Sequence, residues 1–493
     1  MRIEETIAIE LYDILSAVVK ETALAAHDYL ATHPKIYAYG KYPKKQVLFP
    51  RDNPEYDKLY ETIPFLIYDI PKYIDQDYPS DSIDYNGVFW SFVNKDTVDC
   101  QHFDSFKKLV DYVKANPELK AILNTTEDRL SEDLKKLVEG VVKRYLFVTK
   151  ATKIIPDDID DKLHSFICEK LNRFFLSSLN INLLIPICLA TFEEDIIELN
   201  ENAKIIKIPD EIQKARQSII TYESVKDSWI AAAATHMIVF DNYHFDNTSD
   251  LSINTATQSI NAYPLDIIDL VFSAIRIVTG ASIGYMQIIT NPINWIDSFS
   301  SDLVALYGAR TVAVNPIETE KLWLQLSIEK ISKIKANQIK NIYNNLLKIN
   351  NKGLYFAAKR LNRCMLRNEE DDLITDATIG LEALLSGGTR GEITYTISNR
   401  IPIVFTKIID EEYNCLNSRK TMRKIYNFRS KIVHGGTLKE KDKTIEVNGT
   451  IKNISDVAVD FLRFALLFMI QNPKYLESSE LDNYIDDVLN GQI

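Results

Sequence analysis

Cysteine, glycine and long apolar runs are all scarce in this chain, and each shortage excludes a class of protein. The 493 residues include five cysteines, Cys100, Cys168, Cys188, Cys364 and Cys415, scattered singly with no Cys-x-x-Cys pair. A disulfide scaffold or a cysteine-based zinc site needs closely spaced thiols, so buried free thiols in a reducing cytoplasm are expected. Glycine occurs only 15 times, and neither a phosphate-cradling glycine loop nor a nucleophile elbow is present. The most apolar stretches, 181–192 and 461–470, are too short to cross a bilayer, and the second contains Arg463. The opening Met-Arg-Ile-Glu-Glu-Thr is charged from the start and has no apolar signal core. These absences predict a soluble, cytoplasmic protein with no membrane segment. Positive charge is also short: 57 basic against 69 acidic side chains leave a net charge of -12. That excludes a general nucleic-acid coater, so any nucleic-acid site must be a local basic patch. The histidines His27, His33, His102, His164, His236 and His244 show no metal-ligand spacing. No metal and no cofactor are expected.

What is present describes an ordinary globular chain, 46% hydrophobic and 26% charged, long enough for about two to four domains. Helical apolar spacing predicts a helix over 14–30, ending before His33-Pro34, and others over 105–115, 132–149 and 160–179. Asp104 and Ser131 are candidate N-caps for two of these. Short β-branched or apolar runs at 181–192, 203–208, 228–241, 283–290 and 310–315 read as strands, although the alanines at 231–234 fit a helix equally well. Between them, 265–278 reads as a buried helix closed by Gly280. From 318 the helical pattern dominates, over 318–349, 354–366, 371–385, 393–409, 419–433 and 454–470, with glycine-bearing loops between antiparallel neighbours. The fold class expected is mainly α with an α+β middle module. It divides into a mostly helical N-terminal region (1–175), an α+β accessory or sensor module (176–315) and a C-terminal antiparallel helical bundle (316–493).

One predicted helix carries chemistry. At about 100° per residue, Met422, Ile425, Tyr426, Phe428, Ile432 and Val433 fall on one broad stripe for the bundle to bury, and Arg429 lies in its middle. A guanidinium keeps its charge near neutral pH, so it must either meet a carboxylate or face a cleft that receives an anion. Five residues on, His434 precedes Gly435-Gly436, which places an imidazole suited to proton transfer in the last turn, where the carbonyl-rich helix end favours a cation. Five residues are about 500° of rotation, so the two side chains lie about 140° apart on an undistorted helix. They converge only if the last turn unwinds at the glycines or if two copies of the helix face each other. The segment is locally basic: Arg423, Lys424 and Lys431 are candidate phosphate-backbone contacts, while a solvated helix face is the ordinary alternative.

These residues resemble a known family. Arg429-Ser-Lys-Ile-Val-His-Gly435 is similar to the Arg-x4-6-His signature of HEPN domains. Its flanks, including Tyr426-Asn-Phe-Arg429 and the upstream Glu370-Asp-Asp-Leu-Ile-Thr-Asp-Ala-Thr-Ile-Gly-Leu-Glu-Ala-Leu-Leu385, look like the Apea-like branch found in bacterial defence proteins. The likeness covers 350–470, roughly a quarter of the chain. It implies that the C-terminal bundle is HEPN-type and acts as a metal-independent endoribonuclease in a homodimer formed through that bundle. Arg429 would grip the scissile phosphate, and His434 would move protons as the ribose 2′-OH attacks. Glu382 and Tyr426 would support them. Ser430 stands where many members have Asn, Asp or His, so its hydroxyl is a weaker third polar group. The implied role is a regulated toxin or anti-phage (abortive-infection) effector, in which residues 1–315 sense a phage or cellular trigger. The alternative is a non-catalytic HEPN fold that binds RNA, nucleotide or a partner protein. For Arg429 alone, a structural Arg–Glu bridge is the plain alternative; for His434, a helix cap.

Overall fold

The computed structural model describes residues 2–33, 40–46, 72–78, 82–89, 97–220, 225–248, 252–298, 302–314, 328–387, 393–405, 415–435, 443–447 and 450–490. The chain is mainly helical, with an antiparallel sheet in its middle.

The N-terminal region is built on α1 (Glu5–Thr32), packed against α2 (Asp104–Ala115), α4 (Leu130–Val148) and α5 (Ile159–Phe175), with the short α3 (Pro117–Ile122) between. Leu11, Leu15, Val18 and Val19 repeat at three- and four-residue spacing and are buried, as are Leu134, Val138, Val142 and Tyr145 opposite them. Two strands, β1 (Lys41–Gln46) and β2 (Lys72–Asp77), pair antiparallel and pack against the helices Asp210–Gln217 and Val225–Ala232 of the middle module. Neither expected N-cap acts as one. Asp104 is the first helical residue and pairs with Lys107 at 2.8 Å; Ser131 lies inside α4 and accepts a hydrogen bond from Gln101 at 3.0 Å. In both cases a partner outside the capping geometry takes the side chain.

The middle module is a six-stranded sheet in the order β5-β6-β7-β3-β8-β9, with every neighbouring pair antiparallel. Its strands are β3 (Ser178–Cys188), β5 (Ile196–Glu198), β6 (Ala203–Lys207), β7 (His236–Asp246), β8 (Gly284–Pro292) and β9 (Tyr307–Ala313). Alternation along β3 sends Leu183, Ile185 and Ile187 to one core and Leu184 to another. The second core is closed by α6 (Asp210–Gln217) through Ile212 and Ala215. The expected strand over 228–241 is two elements: α7 (Val225–Ala232) takes the first two of the four alanines, and β7 starts only at His236. Next come the short α8 (Ile253–Gln258) and α9 (Leu265–Thr279), which ends as expected at Gly280, in the left-handed region at φ +70°.

Helix α9 faces the first core, and that core is continuous with the C-terminal helices α10 (Lys333–Lys348), α11 (Lys352–Met365), α12 (Glu370–Leu385), α13 (Ile393–Phe405), α14 (Cys415–Val433), α15 (Ile454–Gln471) and α16 (Ser478–Leu489). Helix α15 is buried on most sides, touching α10, α11, α12, α13 and α14. The long helix expected from 318 is corrected. Residues 315–327 lie outside the described segments, and 329–331 form β10 (Glu329–Ile331), parallel to β4 (Ala190–Phe192). The helix starts only after Ser332, whose hydroxyl accepts from the Lys335 N–H. A small hairpin, β11 (Thr444–Val447) and β12 (Thr450–Asn453), follows α14. Cys100, Cys188 and Cys364 are buried free thiols and Cys168 a half-buried one; the side chain of Cys415 lies outside the described residues. Among the described residues, no helix is long and apolar enough to cross a membrane.

Candidate active site

Helix α14 is held in the bundle by the face the apolar stripe defines. Met422, Ile425, Tyr426 and Phe428 are buried and Ile432 partly so, while Ser418 and Thr421 fill small spaces on the same side. Val433 departs from the stripe at 57% exposure, because the helix end runs past the last turn that the bundle covers.

Arg429 comes off this face onto the edge of the bundle, its side chain 30% exposed, and Nη1 lies 3.6 Å from Oε1 of Glu382 on α12. That separation is an ion contact rather than a hydrogen bond. The buried Nε–H of Arg429 has no hydrogen-bond partner. The Tyr426 hydroxyl, one helical turn earlier, donates to the same Glu382 oxygen at 3.3 Å. Burial, and then the neighbouring carboxylate, push the Tyr426 phenol far above its usual range, so it stays a donor at any physiological pH. The three residues expected to cooperate therefore meet: one carboxylate braces both a phenol and a guanidinium that keeps donors to spare.

His434 stands just beyond α14, exposed. Its backbone N–H still donates to the Ser430 carbonyl at 3.1 Å, the regular helical step, and only the next N–H, that of Gly435, reaches back to Ile432. Gly435 adopts φ +65°, and a Cβ built there would meet nothing within 4 Å. Gly435 thus sits in open space directly after His434. Because the helical bonding persists through His434, unwinding does not bring its side chain round to Arg429. The angular separation of about 140° stands within one chain.

The expected phosphate contacts divide. Arg423, Ser430 and Lys431 are exposed, whereas the Lys424 ammonium donates to the Thr444 carbonyl and ties α14 to β11. A cluster that the sequence reading missed lies one helix away: buried Asp376 on α12 pairs with Arg360, and with Arg367 at 3.5 Å, while Arg367 also reaches Asp372 at 2.9 Å. Its signal was two arginines seven residues apart, Arg360 on α11 and Arg367 just past its end, facing two aspartates four apart on α12, a pairing visible only once the helices are known to be neighbours. Among the described residues no group of three His, Cys, Asp or Glu is arranged to hold a metal ion. No protein-family model, curated protein or solved structure matches the chain.

Proposed function

We propose that this chain is a HEPN-type endoribonuclease whose working site is assembled from two copies of α14. The observation that carries this reading is Arg429. It is a cation at the bundle edge, its side chain 30% exposed and steadied by Glu382 at 3.6 Å without a hydrogen bond, and planar recognition of a phosphate needs such a guanidinium. His434 on the accessible tip of the same helix supplies an imidazole for proton transfer. In the reaction, the ribose 2′-oxygen gives up its proton and attacks the neighbouring phosphorus. The bond to the 5′-oxygen breaks, and that oxygen leaves with a proton. The products are a 2′,3′-cyclic phosphate and a 5′-hydroxyl. Arg429 opposes the negative charge that grows on the phosphate oxygens, and His434 handles the proton. The loose Arg429–Glu382 contact equally suits a binding module that holds RNA without cutting it, so the test must separate binding from cleavage.

The experiment is RNA cleavage by the full chain, alone and with EDTA, beside Arg429→Ala and His434→Ala proteins whose folding is checked by thermal melting. The expected result is cleavage that survives EDTA and falls by at least about a hundredfold in each variant, the size of a lost charge-stabilising or acid–base group. RNA retained intact by the parent points to the binding module. Equal cleavage by all three proteins removes the nuclease reading.

A further inference from the structure

We propose that the cavity between the N-terminal helices and the middle sheet binds a small phosphorylated molecule of about mononucleotide size. The cavity has a volume of about 480 Å³, within the range of small-ligand sites. Its walls come from the start of the chain, the α3–α4 turn, α4, α5 and the middle module, and none from α14. The site is therefore independent of whether the bundle cuts RNA.

Its charge runs against that of the molecule. In a chain of net charge -12, five cations line this one space, Arg2, Arg129, Lys136, Lys170 and Arg173, against two carboxylates. One of the two, Asp133, is already engaged by the Thr125 hydroxyl at 2.8 Å and by Arg129 at 3.5 Å. Lys136 is held by Glu132 at 3.5 Å, so Arg2, Lys170 and Arg173 are left to share Asp297. Arg173 is buried; its Nε lies 3.2 Å from the Asp297 carboxylate, and its Nη1 donates to Asn247 Oδ1 at 2.7 Å. Lys170 reaches only the Asp297 backbone carbonyl, at 2.6 Å. Arg2 makes no ion pair among the described residues. Arg2 and Arg173 repel each other, as do Lys170 and Arg173. Three cations around one carboxylate are costly unless an anion joins them, and a phosphate offers each an acceptor oxygen.

The cavity also has an aromatic wall. Phe174 lines it, with the Lys170 ammonium 5.3 Å and the Arg173 guanidinium 5.8 Å from its ring centre. A ring beside a phosphate-binding cluster favours a ligand that carries a flat apolar group as well as the anion, as a nucleotide does. The test is titration calorimetry on the full chain at fixed ionic strength, with AMP, ADP, adenosine, inorganic phosphate and sulfate as probes. AMP or ADP is expected to bind at least about tenfold more tightly than adenosine or sulfate, and Lys170→Gln or Arg2→Gln to weaken it at least about tenfold, the value of one charge-assisted contact. Lys107→Gln, on the outer face of α2, should leave binding unchanged. Should Lys170→Gln not fold, Arg2→Gln decides alone, since its side chain holds no ion pair to lose. Three results overturn the proposal: no phosphorylated probe binding up to millimolar concentration, sulfate binding as well as ADP, or undiminished binding by the Arg2 variant.

Discussion

Two arginines of this chain satisfy their charge in opposite ways, and the contrast shows how to recognise a working one. Arg216 is wholly buried, and its guanidinium donates to the carbonyls of Ala231, Ala232 and Ala234 and to the side chains of Gln213 and Gln287. The carbonyl contacts fasten α6 to the end of α7 and the segment after it, and the Gln287 contact ties it to β8, so this cation is structural. Arg216→Met should cost about 3 kcal/mol in urea unfolding, because several buried carbonyls lose their donor at once; a loss under about 1 kcal/mol would contradict that role. Arg429 is partly exposed and meets Glu382 at ion-contact distance without a hydrogen bond, which leaves it open to a ligand. Tyr426→Phe removes the hydroxyl that helps hold Glu382. It should cost about 1 kcal/mol in thermal melting and reduce cleavage far less than Arg429→Ala does. His236 gives a pH prediction. Burial holds its imidazole below the ordinary histidine value, so the unfolded chain takes up a proton at about pH 6.5 while the folded one resists until lower pH. The stability it contributes is present above about pH 6.5 and is lost as pH falls through the folded value. His236→Gln should therefore show less loss of unfolding free energy between pH 7 and pH 5 than the parent; an equal loss would contradict this.

At the scale of the element, the sequence was most legible where one side of a helix meets one core. Helix α9 with its glycine stop, the bundle helices and the buried stripe of α14 all follow from apolar spacing. The misreadings share a cause: partners distant in sequence decided them. Residues 329–331 carry no strong strand pattern and become β10 because β4 lies beside them. Ala231 and Ala232 had no local reason to end α7 rather than open a strand until Arg216 gathered their carbonyls and that of Ala234. Of the site, Arg429, Tyr426 and Glu382 were legible together, whereas the duty of Lys424 toward Thr444 was not, since the hairpin it holds had not been anticipated. The tip of α14 yields its own prediction. Gly435 adopts a left-handed conformation in open space, so Gly435→Ala meets no clash and should cost only the backbone strain, about 1 kcal/mol in melting. A loss several times larger would mean that the tip is packed rather than free.

At the scale of the whole molecule, an independent core holds the N-terminal helices, while the sheet shares a second core with the C-terminal bundle. The basic cavity sits where the first of these bodies meets the middle module, and α14 contributes none of its lining. A ligand that stiffened the first junction would act on the module in direct contact with the bundle. The central claim, however, concerns α14: its arginine and histidine point to different sides of one helix and act together only across two chains. The most direct measurement mixes the Arg429→Ala and His434→Ala proteins, each inactive alone, and follows RNA cleavage. Random pairing makes about half the dimers mixed, each with one intact arginine–histidine combination out of two, so roughly a quarter of the parental activity should return. Mixtures that cleave no better than either variant alone, under conditions where exchange of chains is verified, would contradict a site shared between two copies.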